Sequence, residues 1–186
     1  MPRIPFPEVA AMSPTQLKVY QDVVNGPRGL MVGPLRAALH NPDLADRWQK
    51  FGQLLRYETS VSPRYTELAI LVTARAWDCP FEWVQHEPVA RAAGLPDGMI
   101  EAIRHRNDPR FEAENDAIVY RYARELHDRH CVEDATYADA LALLGITGVV
   151  ELTALIGYYT LVAMTLNAHL FDLPAGTDDP FQEPAR

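Results

Sequence analysis

Apolar residues recur along this chain at three- and four-residue intervals almost throughout, the spacing that gives a helix one buried face. "SPTQLKVYQDVV" opens a first helix with Ser13 as N-cap and Pro14 at the first helical position, where a missing N–H costs nothing. "NGPRGLMVGP", Asn25 to Pro34, follows with three glycines and two prolines and predicts a loop. Its apolar residues Leu30, Met31 and Val32 predict that this loop folds back onto the body of the protein. "NPDLADRWQKFGQLLRYET" predicts a helix with Leu44, Trp48, Phe51, Leu54 and Leu55 on one buried face. "SPRYTELAILVTARAW" repeats the Ser-Pro opening. Leu68, Leu71 and Val72 lie on one side of it and Ile70, Ala74 and Trp77 on another, so the helix is predicted to be enclosed. Pro80 begins the next helix, and Gly94 is placed to end it. "LPDGMIEAIRH", "FEAENDAIVYRYARELHDRH" and "EDATYADALALLG" predict three more, the last closed by Gly145. "TGVVELTALIGYYTLVAMTLNAHLF" completes the series.

No run shows strand alternation and no linker divides the chain. The expectation is an all-α fold, one domain over residues 1–174, with a flexible Pro- and Asp-rich tail at 175–186. The final apolar segment carries Glu151, Asn167 and His169, and reads as a core helix rather than a membrane span. The apolar faces are many for one small body, which points to packing against further subunits.

Composition narrows the function. A net charge of -8 over 186 residues lacks the concentrated Lys and Arg that nucleic acid requires. The start, "MPRIPFPEVAAMSP", does not read as a signal peptide, and a cytoplasmic protein is expected. Two cysteines, Cys79 and Cys131, are too few for a disulfide framework.

The stretch with chemistry in it is "DCPFEWVQHEPVARAAGL". Glu82 and His86 stand four apart and share a helix face, as a carboxylate that orients or tunes an imidazole must. Cys79 precedes that helix at its positive end, where a thiol can have a lowered pKa and greater reactivity. Glu67 lies one helix earlier, and the short "WDCP" connection lets the two helices pack side by side, gathering Glu67, Cys79, Glu82 and His86. The residues alone favour plainer readings: a solvated Glu/His pair, and a cysteine that is a small buried hydrophobe beside Trp77 and Phe81. No second His/Glu pair at matching spacing suggests a two-metal site, and "HDRHC", with His127, His130 and Cys131, reads as a solvated helix end.

The run from Pro63 to Leu95 resembles the core motif of the carboxymuconolactone decarboxylase family, relatives of the AhpD-like alkylhydroperoxidases, and the similarity extends from about Ser13 to Leu173. The resemblance implies an AhpD-like helical bundle and a homo-oligomer, trimeric or hexameric. Alkylhydroperoxidases of this kind carry Cys-x-x-Cys-x-x-x-His with a glutamate on the preceding helix. Cys79 matches the first cysteine, His86 the histidine and Glu67 the glutamate, while Glu82 stands where the peroxide-attacking cysteine would be. A carboxylate forms no sulfenic acid, so a dithiol peroxidase is disfavoured. The decarboxylase-like branch fits better: cofactor-free acid/base chemistry on a small carboxylated or lactone substrate. The resemblance then implies His86 as acid/base, Glu82 orienting it or sharing its proton, and Glu67 as relay, with Cys79 beside them. Arg28 is a candidate partner for a substrate carboxylate. Phe81, Trp83 and Tyr158 are candidate pocket walls, and Tyr159, Asn167 and His169 lie on the same last helix as Tyr158. Two alternatives stand beside this reading: thiol redox activity through Cys79, and a non-catalytic oligomer that binds a small molecule.

Overall fold

The computed structural model describes residues 2–31 and 33–182. Among these there are eight α-helices, one short 3-10 turn at Val9–Ala11 and no strand. The chain is all-α, as its periodicity predicts. Val32, and residues 183–186 at the end of the tail expected to be flexible, lie outside the described residues.

The helices fall into two compact units. The first holds residues 1–59 and 165–172. Its α1 (Pro14–Asn25) starts in a full capping box, Ser13 and Gln16 each satisfying the other's backbone N–H. A short helix, α2 (Pro34–Ala38), begins where the loop was expected to end. α3 (Pro42–Tyr57) is capped by Asn41, whose side chain accepts from the Leu44 N–H at 3.1 Å. Its buried face differs from the predicted one. Ala45, Trp48, Gln49, Gly52 and Leu55 are enclosed, whereas Leu44, Phe51 and Leu54 are exposed. The enclosed face is the one against which α1 and α2 pack. In the preceding loop Met31 is buried as expected, but Leu30 is exposed.

The second unit holds residues 60–164 and, of the described tail, 173–182. α4 (Pro63–Ala76) is its centre and contacts α5 (Pro80–Ala92), α6 (Asp97–Arg104) and α7 (Glu114–Arg129). Every residue of α4 from Thr66 to Ala74 is buried, the enclosure that its two apolar sides predict. A tight turn joins α4 to α5: the Cys79 N–H donates to Ala74 C=O at 2.9 Å, and Asp78 takes a left-handed φ of 44°. Gly94, at φ 87°, ends the α5 segment as expected.

The last helix, α8 (Asp134–His169), is interrupted at Gly145, whose φ of 68° and ψ of 176° are not helical. The predicted boundary is therefore real, and glycine is the residue for which that φ costs least. By length and composition this helix could cross a membrane. In the second unit, however, Leu152, Leu155, Tyr158, Tyr159 and Ala163 of one face are core residues. The tail also returns: Phe181 stands edge-on to Trp83, ring centroids 5.4 Å apart, with the Arg75 guanidinium 4.5 Å from the centroid of the Phe181 ring.

Candidate functional site

The α4–α5 hairpin brings the predicted cluster together. Glu67 comes from the first half of α4, Cys79 is the N-cap of α5, and Glu82 and His86 follow one turn apart on α5. Antiparallel packing of α4 and α5 sets Glu67 opposite His86, and the His86 Nδ1–H donates to Glu67 Oε2 at 2.8 Å. Their side chains are only 8% and 7% exposed, so the bond is shielded from competing water. The Tyr159 ring stands edge-on to the imidazole, centroids 5.0 Å apart at 88°, and restrains the ring plane. Nε2 has no hydrogen-bond partner among the described residues. Fixing the proton on Nδ1 gives Nε2 its lone pair in the neutral imidazole.

Glu82 is the anomaly. It is 2% exposed, and neither of its oxygens has a hydrogen-bond partner of ordinary geometry. Burial pushes its carboxyl well above the usual carboxylate range, and the nearby Glu67 charge pushes the same way. The neighbouring Cys79 thiol, a weak donor, offsets only part of that cost. Burial thus favours the uncharged form of Glu82, and neither oxygen is engaged by a partner of ordinary geometry.

Cys79 corrects an expectation. The N-terminal position on α5 was expected to lower its pKa, yet burial, followed by repulsion from Glu82, pushes the thiol up to about 12. The residue is fully buried, and desolvation of a thiolate outweighs the half-charge of a helix end. Both cysteines are free, Cys79 inside and Cys131 on the surface.

The candidate walls separate. Tyr158 is buried and stacks edge-on against Tyr159, centroids 5.2 Å apart. Phe81 is half-buried at the start of α5. Trp83 is wholly enclosed, its indole N–H donating to Glu87 Oε2 at 2.8 Å, which makes it a structural anchor of α5. Arg28 belongs to the first unit, beside Gln49, Gln53 and Tyr57, where its Nη2 is buried without a hydrogen-bond partner. Tyr159 is the contact that spacing alone does not rank: "GYYT" shows two tyrosines on the last helix, and only packing decides which one meets His86.

No curated protein matches the chain. Residues 42–120 match the model of the carboxymuconolactone decarboxylase family, a span that includes α4, α5 and the whole Glu67–Cys79–Glu82–His86 cluster. Over those residues the chain is similar to the carboxymuconolactone decarboxylase family.

Proposed function

We propose that the chain is a cofactor-free enzyme that moves protons on a small carboxylated or lactone substrate, as in a decarboxylation or a related lyase or isomerase step. The observation that carries this is the pairing of unlike groups on one helix: a Glu82 carboxyl whose uncharged form burial favours, and a His86 base oriented by Glu67. In the proposed step the substrate's electron pair, freed as carbon dioxide leaves or as a C–H proton is removed, collects on its carbonyl side. Glu82 supplies the proton that quenches it and, after loss of carbon dioxide, is reprotonated from solvent. Where a C–H proton is removed instead, His86 Nε2 takes it and the imidazolium hands it back to the Glu82 carboxylate. Glu67 stabilises the imidazolium that forms meanwhile. We also propose that the chain acts as a homo-oligomer.

A thiol peroxidase reading needs a thiolate. With Cys79 at about 12, only on the order of one part in 10⁵ is ionised at neutral pH. Glu82 offers no sulfur to resolve an oxidised Cys79.

The test is a screen of carboxylated lactones and β-keto acids, followed by carbon dioxide release and by solvent deuterium uptake into product. On an active substrate His86→Ala and Glu82→Gln should each lower kcat by roughly a hundredfold or more. Glu67→Gln should lower it less and move the pH profile. Unchanged turnover in His86→Ala would remove the assignment.

A further inference from the structure

A cleft of about 480 Å³ shares no lining residue with the Glu67–Glu82–His86 cluster. It opens within the second unit among the end of α4, the turn after α6, the end of α7 and the middle of α8. That volume falls in the range of small-molecule sites. Its polar wall holds the arginines Arg75, Arg106 and Arg124, together with His127 and His130, while Trp77, Leu126 and Ile156 supply apolar surface.

Asp78 accepts from both Arg75 and Arg106, the latter at 2.7 Å, and Asp128 accepts from Arg124 at 2.8 Å. Asp179 also lies near enough to act on Arg75, so the pull on an anion rests on unspent donors rather than on a net charge. His127 adds no charge. The Thr73 hydroxyl spends its only proton on Ala69 C=O at 2.8 Å, so Thr73 Oγ1 must accept from His127 Nε2–H at 3.0 Å. Burial holds the His127 pKa below the ordinary histidine value, which keeps the ring neutral.

Donors remain unspent. Among the described residues Nε and Nη1 of Arg106 and Nη1 of Arg124 have no hydrogen-bond partner, although each guanidinium is already positioned by an aspartate. Backbone is committed here as well: Asp78, Arg106 and His130 all hold left-handed φ angles, of 44°, 57° and 60°. Such conformations are costly for an arginine, and residues that keep them cluster at working sites.

We propose that this cleft binds a small organic monoanion, a carboxylate carried on an aromatic-sized apolar body. Free guanidinium N–H groups already positioned by aspartates suit one carboxylate. Asp78 and Asp128 repel a polyanion, and the Trp77–Leu126–Ile156 wall calls for an apolar body rather than inorganic phosphate.

The experiment is calorimetric titration of the full chain with benzoate, with its neutral isostere benzamide, and with inorganic phosphate. Histidine ring signals are followed by NMR. Benzoate should bind at least tenfold more tightly than either comparison ligand and should shift the His127 signals. Arg106→Ala and Arg124→Ala, both at exposed positions, should each weaken benzoate at least tenfold. His86→Ala should leave that affinity unchanged, which separates this site from the proposed catalytic one. The proposal is overturned if benzoate fails to bind, if benzamide or phosphate binds as tightly, if both arginine variants keep full affinity, or if His86→Ala abolishes binding.

Discussion

Glu82 shows how one buried side chain sets a pH dependence. Its folded-state pKa is raised, while in the unfolded chain it ionises in the ordinary carboxylate range. Between those two values the folded protein holds a proton that the unfolded chain lacks, so stability falls as pH rises through that window and levels off above it. The loss is about 1.4 kcal/mol for each pH unit crossed. Glu82→Gln, which keeps the shape and removes the titration, should flatten this decline and melt above the parent at pH 8, with the gap shrinking toward pH 4. A variant that melts lower at both values would contradict a neutral Glu82. Cys79 supplies a second residue-scale test. Iodoacetamide at pH 7.5 should label Cys131 and leave Cys79 roughly a hundredfold slower in the native protein, read by mass spectrometry. The grouping of Glu67 with Glu82 and His86 was legible in the sequence, because a short turn lets the two helices pack side by side; that Glu67, and not the i, i+4 neighbour Glu82, bonds His86 was not. The state of Cys79 was not, because the helix end that lowers a pKa and the burial that raises it lie at the same position, and only packing sets the burial.

Among the elements, α4 owes its place to a bond that periodicity does not show. Arg64 forks onto Asp116 of α7, Nε to Oδ1 at 2.9 Å and Nη2 to Oδ2 at 2.6 Å, and its third nitrogen reaches Gly94 C=O at the end of α5. One guanidinium therefore ties three helices. The Asp116 side chain is 2% exposed and the Arg64 side chain 31%. Removing the arginine leaves a buried carboxylate unpaired, so Arg64→Ala should cost about 3 kcal/mol in urea denaturation. Asp116→Asn, which keeps an acceptor, should cost less than Asp116→Ala. Equal stability of Arg64→Ala and the parent would show that water replaces the guanidinium at no cost. α3 carries the opposite lesson. Leu44, Phe51 and Leu54 fit a helical repeat as well as the face that is buried, and hydrophobicity alone picked the larger side chains.

At the scale of the molecule, the proposed self-association has a surface to act through. Ile146 and Val150, 76% and 63% exposed, stand four apart on α8 and continue along the helix toward Met164. Apolar side chains this open are expected to be covered by a second copy. Ile146→Lys with Val150→Lys should lower the mass measured by light scattering and leave the helical circular dichroism intact. An unchanged mass would place any interface elsewhere.

The sequence by itself determined the helical class, most caps and boundaries, and the grouping of Glu67, Cys79, Glu82 and His86. These depend on local chemistry: a serine or asparagine before a helix, a glycine at positive φ, a fixed periodicity, a short turn. Only the tertiary structure decided that the Glu82 carboxyl is pushed up by burial, that the Cys79 thiol is pushed up as well, that Tyr159 rather than Tyr158 meets His86, and that Arg75, Arg106 and Arg124 converge on one cleft. Each of these follows from which distant groups share a desolvated space, and solvation is a property of the packed body that no stretch of sequence carries alone.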